Sequence, residues 1–144
     1  MIDSFDGVHR YLSNFFPAQV TFEDEEYDST EYAFQAAKTL SASQRRIIAG
    51  AATPGRAKRL GRAVTLREDW EEIKRGVMGK LLLQKFRRHE HLGKRLLATG
   101  EEELIEGNTW HDQEWGDCRC SEHASIPGEN WLGKLLMAVR EELS

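Results

Sequence analysis

Glu31, Gln35 and Lys38 occupy positions i, i+4 and i+7 of the run Thr30-Glu-Tyr-Ala-Phe-Gln-Ala-Ala-Lys-Thr-Leu40. A helix turns about 100° per residue, so a helix over this run carries an acid, an amide and an amine along one stripe. In an apolar pocket such a lysine loses its proton more readily and becomes a nucleophile, while a neighbouring carboxyl group transfers protons. At a surface the same pair is an ordinary charge pair stabilising the helix by about a few tenths of a kcal/mol. Chemistry from this stripe therefore requires its burial. Phe34, Ala37 and Leu40 are the complementary residues expected to face the core.

Two further groups of residues could serve a ligand. The segment Trp110-His-Asp-Gln-Glu-Trp115-Gly-Asp117 combines aromatic rings with carboxylates, which suits stacking on a planar base and holding ribose hydroxyls; the tryptophans could equally plug the core. Asn130 stands where the last helix begins, as an N-cap or as part of a helix N-terminus that receives a phosphate or hydroxyl. His111, Cys118, Cys120 and His123 offer metal-ligating atoms, but Cys-x-Cys with flanking histidines is not a diagnostic zinc spacing, and no metal is expected. Neither a glycine-rich phosphate loop nor a Gly-x-Ser-x-Gly elbow is present, and no cofactor is expected.

The elements that must position these residues are mainly helical. Gln19-Val-Thr-Phe22 and Glu25-Glu-Tyr27 around Asp24 predict a small β-hairpin, and residues 9–16 read as extended or irregular. Asp28-Ser29-Thr30 supplies an N-cap for the helix over 30–40, with Glu31 in its first turn. A second helix runs from Ser41 or Ser43 to Gly50, and a third starts at Thr53-Pro54. Trp70, Ile73, Val77, Leu81 and Leu82 form the apolar stripe of a long helix over 68–86, with Gly76 and Gly79 suggesting a close helix–helix approach. Helices over 89–98 and 130–143 enclose a polar, irregular segment, 101–129. The fold class expected is mainly α with a small N-terminal β-hairpin, in one domain over 1–144.

With 40% hydrophobic residues, the 144-residue chain can build one complete core. It has no apolar run long enough to span a bilayer and no signal-peptide pattern, so a cytoplasmic protein without membrane association is expected. Cys118 and Cys120, one residue apart, read as free thiols. The net charge of −4 argues against gripping long nucleic acid by charge alone, but the charge is unevenly placed. Eight acids and one base, Arg10, occupy the first 31 residues. Between Tyr32 and Arg67 eight basic residues occur without an acid, and Arg56, Arg59 and Arg62 among them could meet a phosphate. A solvated basic helix surface would look the same in sequence.

Taken in order, several segments resemble the NADAR family, also called YbiA-like. These are Leu12-Ser-Asn14-Phe15, the Ser29-Thr-Glu31-x-x-x-Gln35-x-x-Lys38 helix, Pro54-Gly-Arg-Ala-Lys-Arg-Leu-Gly61-Arg62, the Trp70 helix with Val77-Met78, Leu96-Leu-Ala-Thr99, Trp115-Gly-Asp117 and Asn130-Trp-Leu-Gly133-Lys. The resemblance covers nearly the whole chain. It departs after Trp115-Gly-Asp117, where related chains often carry a glycine-rich stretch and this chain has Cys118-Arg-Cys120-Ser-Glu-His.

The resemblance implies a mainly helical YbiA-like fold and an N-glycosidase acting on ribosylated nitrogen bases. The expected substrate is ADP-ribosylated guanine in DNA or a related ribosylated nucleotide, with phosphorylated riboflavin-pathway pyrimidines as the alternative. Glu31 and Lys38 fall on the family's acidic and lysine positions, while Asn14, Phe15, Gln35, Trp70, Trp115, Asp117 and Asn130 are the candidate substrate-binding residues. In the mechanism expected, Glu31 manages proton transfer and Lys38 attacks C1 of ribose to form a transient Schiff base. Alternatively, Lys38 acts as a cation while water attacks directly. A non-catalytic ADP-ribose or nucleotide reader is the competing possibility from another class.

Overall fold

The computed structural model describes residues Met1–Ser144 and contains seven helices and two minimal sheets. By chain contacts it divides into two compact units: Asn14–His89, and Met1–Ser13 together with Glu90–Ser144.

The first unit opens with the expected hairpin, β1 (Val20–Phe22) and β2 (Glu25–Tyr27), paired antiparallel with Val20 opposite Tyr27. Glu23 and Asp24 form its two-residue turn with φ of 46° and 68°, the left-handed pair that matches the twist of the strands. Helix α1 (Thr30–Ala37) follows, then α2 (Ala42–Ala49), α3 (Pro54–Gly61) and α4 (Trp70–Arg88). Ser41 and Thr53 cap α2 and α3 by accepting from the amides of Gln44 and Arg56, and Pro54 occupies the first turn of α3, as the Thr-Pro signal predicts.

Every residue of α1 is buried, and α2, α3, α4 and the hairpin all pack on it. Three expectations for this unit are corrected. Leu40, assigned to the core, is 70% exposed because α1 ends at Ala37 and the chain turns away. On α4 the buried residues are Trp70, Met78, Leu81, Leu82, Lys85 and Phe86, whereas Ile73 and Val77 are half-buried. A Cβ added at Gly76 would meet nothing within 4 Å, so that glycine marks no close approach. A close approach does occur at Gly61 of α3, where an added Cβ would fall 1.9 Å from Gln35 Oε1.

The second unit contains α5 (Glu90–Ala98) and α6 (Trp131–Leu143), packed together. It also contains a 3-10 helix over Gly7–Leu12, whose latter part falls in the segment 9–16 that reads as extended or irregular. Tyr11 and Leu12 of that helix are buried, and Arg95 stacks over the Tyr11 ring at 4.0 Å while donating to Val8 O. Tertiary burial thus overrides a weak local signal. β3 (Gly107–Asn108) and β4 (Asp117–Cys118) form a two-residue parallel ladder inside the segment expected to be irregular. No helix is long and apolar enough to cross a membrane.

Candidate active site

Burial of α1 removes the surface-pair explanation for most of its stripe. Glu31 is 7% exposed and Gln35 4%, and Gln35 Nε2 donates to Glu31 Oε1 at 2.9 Å. That bond fixes one carboxyl oxygen. The backbone N–H of Glu31, one of the first-turn donors that a helix leaves unpaired, donates to Asn14 O at 3.1 Å. Ser29 occupies the N-cap position but makes no side-chain cap, so Asn14 does through its carbonyl part of what the Asp28-Ser29-Thr30 pattern was expected to do. Asn14 is itself buried, and its Nδ2 faces Met78 Sδ at 3.5 Å. Asn14 therefore ties the acidic end of α1 to the middle of α4. Gly61 completes the arrangement, because only a residue without Cβ leaves room for the Gln35 amide.

Lys38 follows the last residue of α1 and is half-buried. Its N–H donates to Gln35 O at 3.2 Å and its carbonyl accepts from Arg67 N–H at 2.8 Å. Arg67 is held in turn by a two-pronged contact with Asp69, at 2.6 and 3.2 Å. Both ends of α1 are thus anchored, with the acid buried at one end and the amine at the partly open other end.

A second lysine of this unit went unnoticed in the sequence. Lys85 is fully buried in α4, and its ammonium lies 5.8 Å from the Phe16 ring centre and 5.0 Å from that of Phe86. Burial pushes its pKa down to about 7, so a large fraction of this amine is neutral at physiological pH. The signal was available: Lys85 follows Leu81 by four residues and Leu82 by three, on the apolar stripe itself. Buried lysines with lowered pKa are frequent in functional sites.

The other candidates of this unit fall into two groups. Trp70 is 5% exposed and packs against Phe34, ring centres 5.0 Å apart, which gives it a core role rather than the base-stacking role expected. Phe15, by contrast, is 37% exposed and borders a cleft of about 490 Å³ that also includes Ser29, Tyr32, Pro54 and His89. Arg56, Arg59 and Arg62 lie three residues apart along α3 and its C-cap, all exposed, and so form one basic ridge.

The remaining candidates belong to the second unit. Asp117 Oδ1 accepts from Gly128 N–H at 2.8 Å, and Trp115 is half-buried with its N–H on Asp112 Oδ1 at 2.8 Å. Asn130 begins α6 in the left-handed region, φ 52°, and makes no side-chain cap there. Its Oδ1 instead accepts from Glu106 N–H at 3.0 Å, and its Nδ2 donates to Leu104 O at 2.9 Å. Gly133 is required beside it, since an added Cβ would fall 2.0 Å from Leu104 O. The expected cap or ligand-binding asparagine is a backbone clamp that positions the loop.

The mainly helical architecture is that of the YbiA-like fold. Residues 4–144 match the NADAR domain, and the chain belongs to the NADAR domain family. It is 40% identical over 137 residues to N-glycosidase Npun_R5314 of Nostoc punctiforme, covering 92% of this chain and 84% of that protein. The NMR structure of Escherichia coli YbiA superposes with a TM-score of 0.81 at 34% identity, covering 99% of this chain and 86% of that one. The riboflavin biosynthesis protein VVA0006 of Vibrio vulnificus is 35% identical over 140 residues, covering 96% of this chain and 36% of that longer protein.

Proposed function

We propose that this chain is an N-glycosidase that hydrolyses the C1–N bond of a ribosylated base, and that its substrate is guanine carrying ADP-ribose in nucleic acid. The observation that carries this reading is Glu31: buried, oriented by Gln35 and by the Asn14 carbonyl, on a helix shared with an amine, in a chain whose relatives are named N-glycosidases. Cleavage builds positive charge on C1 and negative charge on the departing base. Glu31 delivers the proton to that base as the C1–N bond breaks. A lysine amine attacks C1, the ring opens to an imine, and water then adds to release the sugar and the free amine. The basic ridge Arg56, Arg59 and Arg62 suits the diphosphate of ADP-ribose, and exposed Phe15 suits stacking on a base.

Lys38 is the nucleophile by its position on the α1 stripe. Lys85 has a pKa lowered to about 7, but its side chain is fully buried, so an adduct on it would require α4 to open. Borohydride reduction during turnover, followed by peptide mass mapping, assigns the adduct to one or the other. Failure to trap any adduct with a rapidly turned-over substrate would contradict the imine and leave direct attack by water.

The substrate class is tested by offering guanine-ADP-ribosylated oligonucleotide and, separately, a phosphorylated riboflavin-pathway pyrimidine, since one relative is named a riboflavin biosynthesis protein. Restoration of the unmodified strand with release of ADP-ribose is the expected result. Turnover of the pyrimidine alone would move the assignment to that pathway, and binding without turnover of either would make the chain a reader of nucleotides.

A further inference from the structure

The loop between β3 and β4, β4 itself and the turn after it bring together four side chains that the proposed glycosidase chemistry does not use. These are His111, Cys118, Cys120 and His123, each offering one ligand atom, with all four atoms within 4.8 Å of one another. Cys120 Sγ lies 3.0 Å from His123 Nδ1 and 3.3 Å from His111 Nδ1, and the two Nδ1 atoms are 3.5 Å apart. A tetrahedral zinc ion with bonds of 2.0–2.3 Å needs donors about 3.3–3.8 Å apart. The three distances above lie near the lower end of that range, and the widest separation of the set, up to 4.8 Å, would close by about 1 Å on binding.

We propose that His111, Cys118, Cys120 and His123 form a structural zinc site of the Cys2His2 type. The local geometry gives each ligand its place. Side chains alternate along an extended chain, so Cys118 and Cys120 fall on one side while the intervening Arg119 reaches away to Asp3 at 3.2 Å. The Arg119 N–H continues the β-ladder to Asn108 O at 2.7 Å, which keeps the Cys-x-Cys run extended. His123 returns through a turn whose N–H donates to Cys120 O at 3.1 Å. His111 is held with φ 70°, an unusual conformation for a non-glycine residue, and its N–H donates to Cys118 Sγ at 3.3 Å. Amides of this kind commonly orient and steady metal-bound thiolates.

The donor set identifies the cation and its role. Two thiols and two imidazoles select a borderline-soft ion of tetrahedral preference, and four protein ligands close the coordination sphere, as in structural rather than catalytic zinc sites. Binding releases the two thiol protons to solvent, and the two thiolates then balance the charge of the ion. The site staples the segment 109–129, which has almost no hydrogen-bonded secondary structure, beside Asp117. This proposal does not depend on the substrate assignment.

The test uses the full chain, untagged and reduced, with cobalt(II) as the probe. Saturation at one equivalent, with the intense visible bands of a tetrahedral site, thiolate-to-cobalt charge transfer and displacement by zinc, is the expected result. The variants Cys120→Ser and His123→Ala should each weaken cobalt binding by about tenfold or more. Far-UV circular dichroism checks that they keep their helices. Chelation should also speed hydrogen exchange in 109–129 of the wild type, a readout independent of any variant's folding. An octahedral spectrum, the absence of saturable uptake by the wild type, or unchanged affinity in both folded variants would overturn the proposal.

Discussion

Helix α1 and the loop 107–130 both hold residues expected to serve a ligand, but they hold them by different means. On α1, helical geometry alone aligns Glu31 with Gln35, and neighbouring elements supply burial and anchors: Asn14 at one end, Arg67 at the other, Gly61 alongside. In the loop, side chains replace secondary structure. Asn108 accepts from the amides of Trp110 and Asp112, Asp112 from those of Glu114 and Trp115, and Asp117 from that of Gly128. Asn130 closes the loop onto Leu104 and Glu106. A helix positions its functional groups through packing, whereas a loop positions them through polar contacts to its own backbone.

The largest effect that sharpens this comparison concerns Lys85, the buried amine of the packed unit. Its folded pKa of about 7 lies below the ordinary 10.5, so between these values the unfolded chain binds one more proton than the folded chain. Stability therefore rises with pH across this window, by up to about 1.4 kcal/mol per pH unit, and the penalty of the charged form is fully felt only below about pH 7. Denaturant titrations of wild type and Lys85→Met from pH 6 to 10 should diverge with that slope. Parallel curves would show that Lys85 ionises normally.

Next comes the loop clamp. Asn130→Ala leaves the Leu104 carbonyl and the Glu106 amide without their partner and places alanine at a left-handed φ, so a loss of about 2–3 kcal/mol is expected. Hydrogen exchange should accelerate in 101–130 and stay unchanged in α1. Acceleration in α1 as well would erase the distinction between the two modes of support. Gly61→Ala tests the packed side, where the new Cβ meets the end of the Gln35 side chain. A cost of about 1–2 kcal/mol is expected, with a loss of activity as the amide leaves Glu31. The smallest effect belongs to the ridge: Arg59→Gln should raise KM about threefold for a substrate bearing phosphates and leave kcat unchanged, because one exposed charge in salt contributes little.

The difference between the two regions also governs what could be read from sequence. The stripe Glu31, Gln35 and Lys38, the hairpin turn around Asp24 and the Thr53-Pro54 start are local patterns with fixed geometry, and they stand where the sequence places them. The buried face of α4 runs through Met78 and not through the adjacent Val77 of the expected stripe; Trp70 and Leu81 are compatible with either. The same reading passed over Lys85, since charge hides a residue from an apolar count even when its position is interior. Asn130 reads as a cap or a ligand-binding helix terminus because asparagine before a helix usually serves one of these roles. Its actual partners, Leu104 and Glu106, lie more than twenty residues away and leave no periodic trace. The sequence groups His111, Cys118, Cys120 and His123 as metal-ligating residues, but their spacing is not diagnostic and their convergence depends on the same loop path.

The most direct test of the account is the turnover of Glu31→Gln. Glutamine has the shape of glutamate, and its carbonyl can still accept from Gln35 Nε2, so α1 should keep its structure while losing the proton donor. A fall in kcat of about 100-fold or more, with unchanged circular dichroism and substrate affinity, is the result expected of a buried general acid. Activity within a few-fold of wild type would contradict the assignment of proton transfer to Glu31 and with it the placement of the active site on α1.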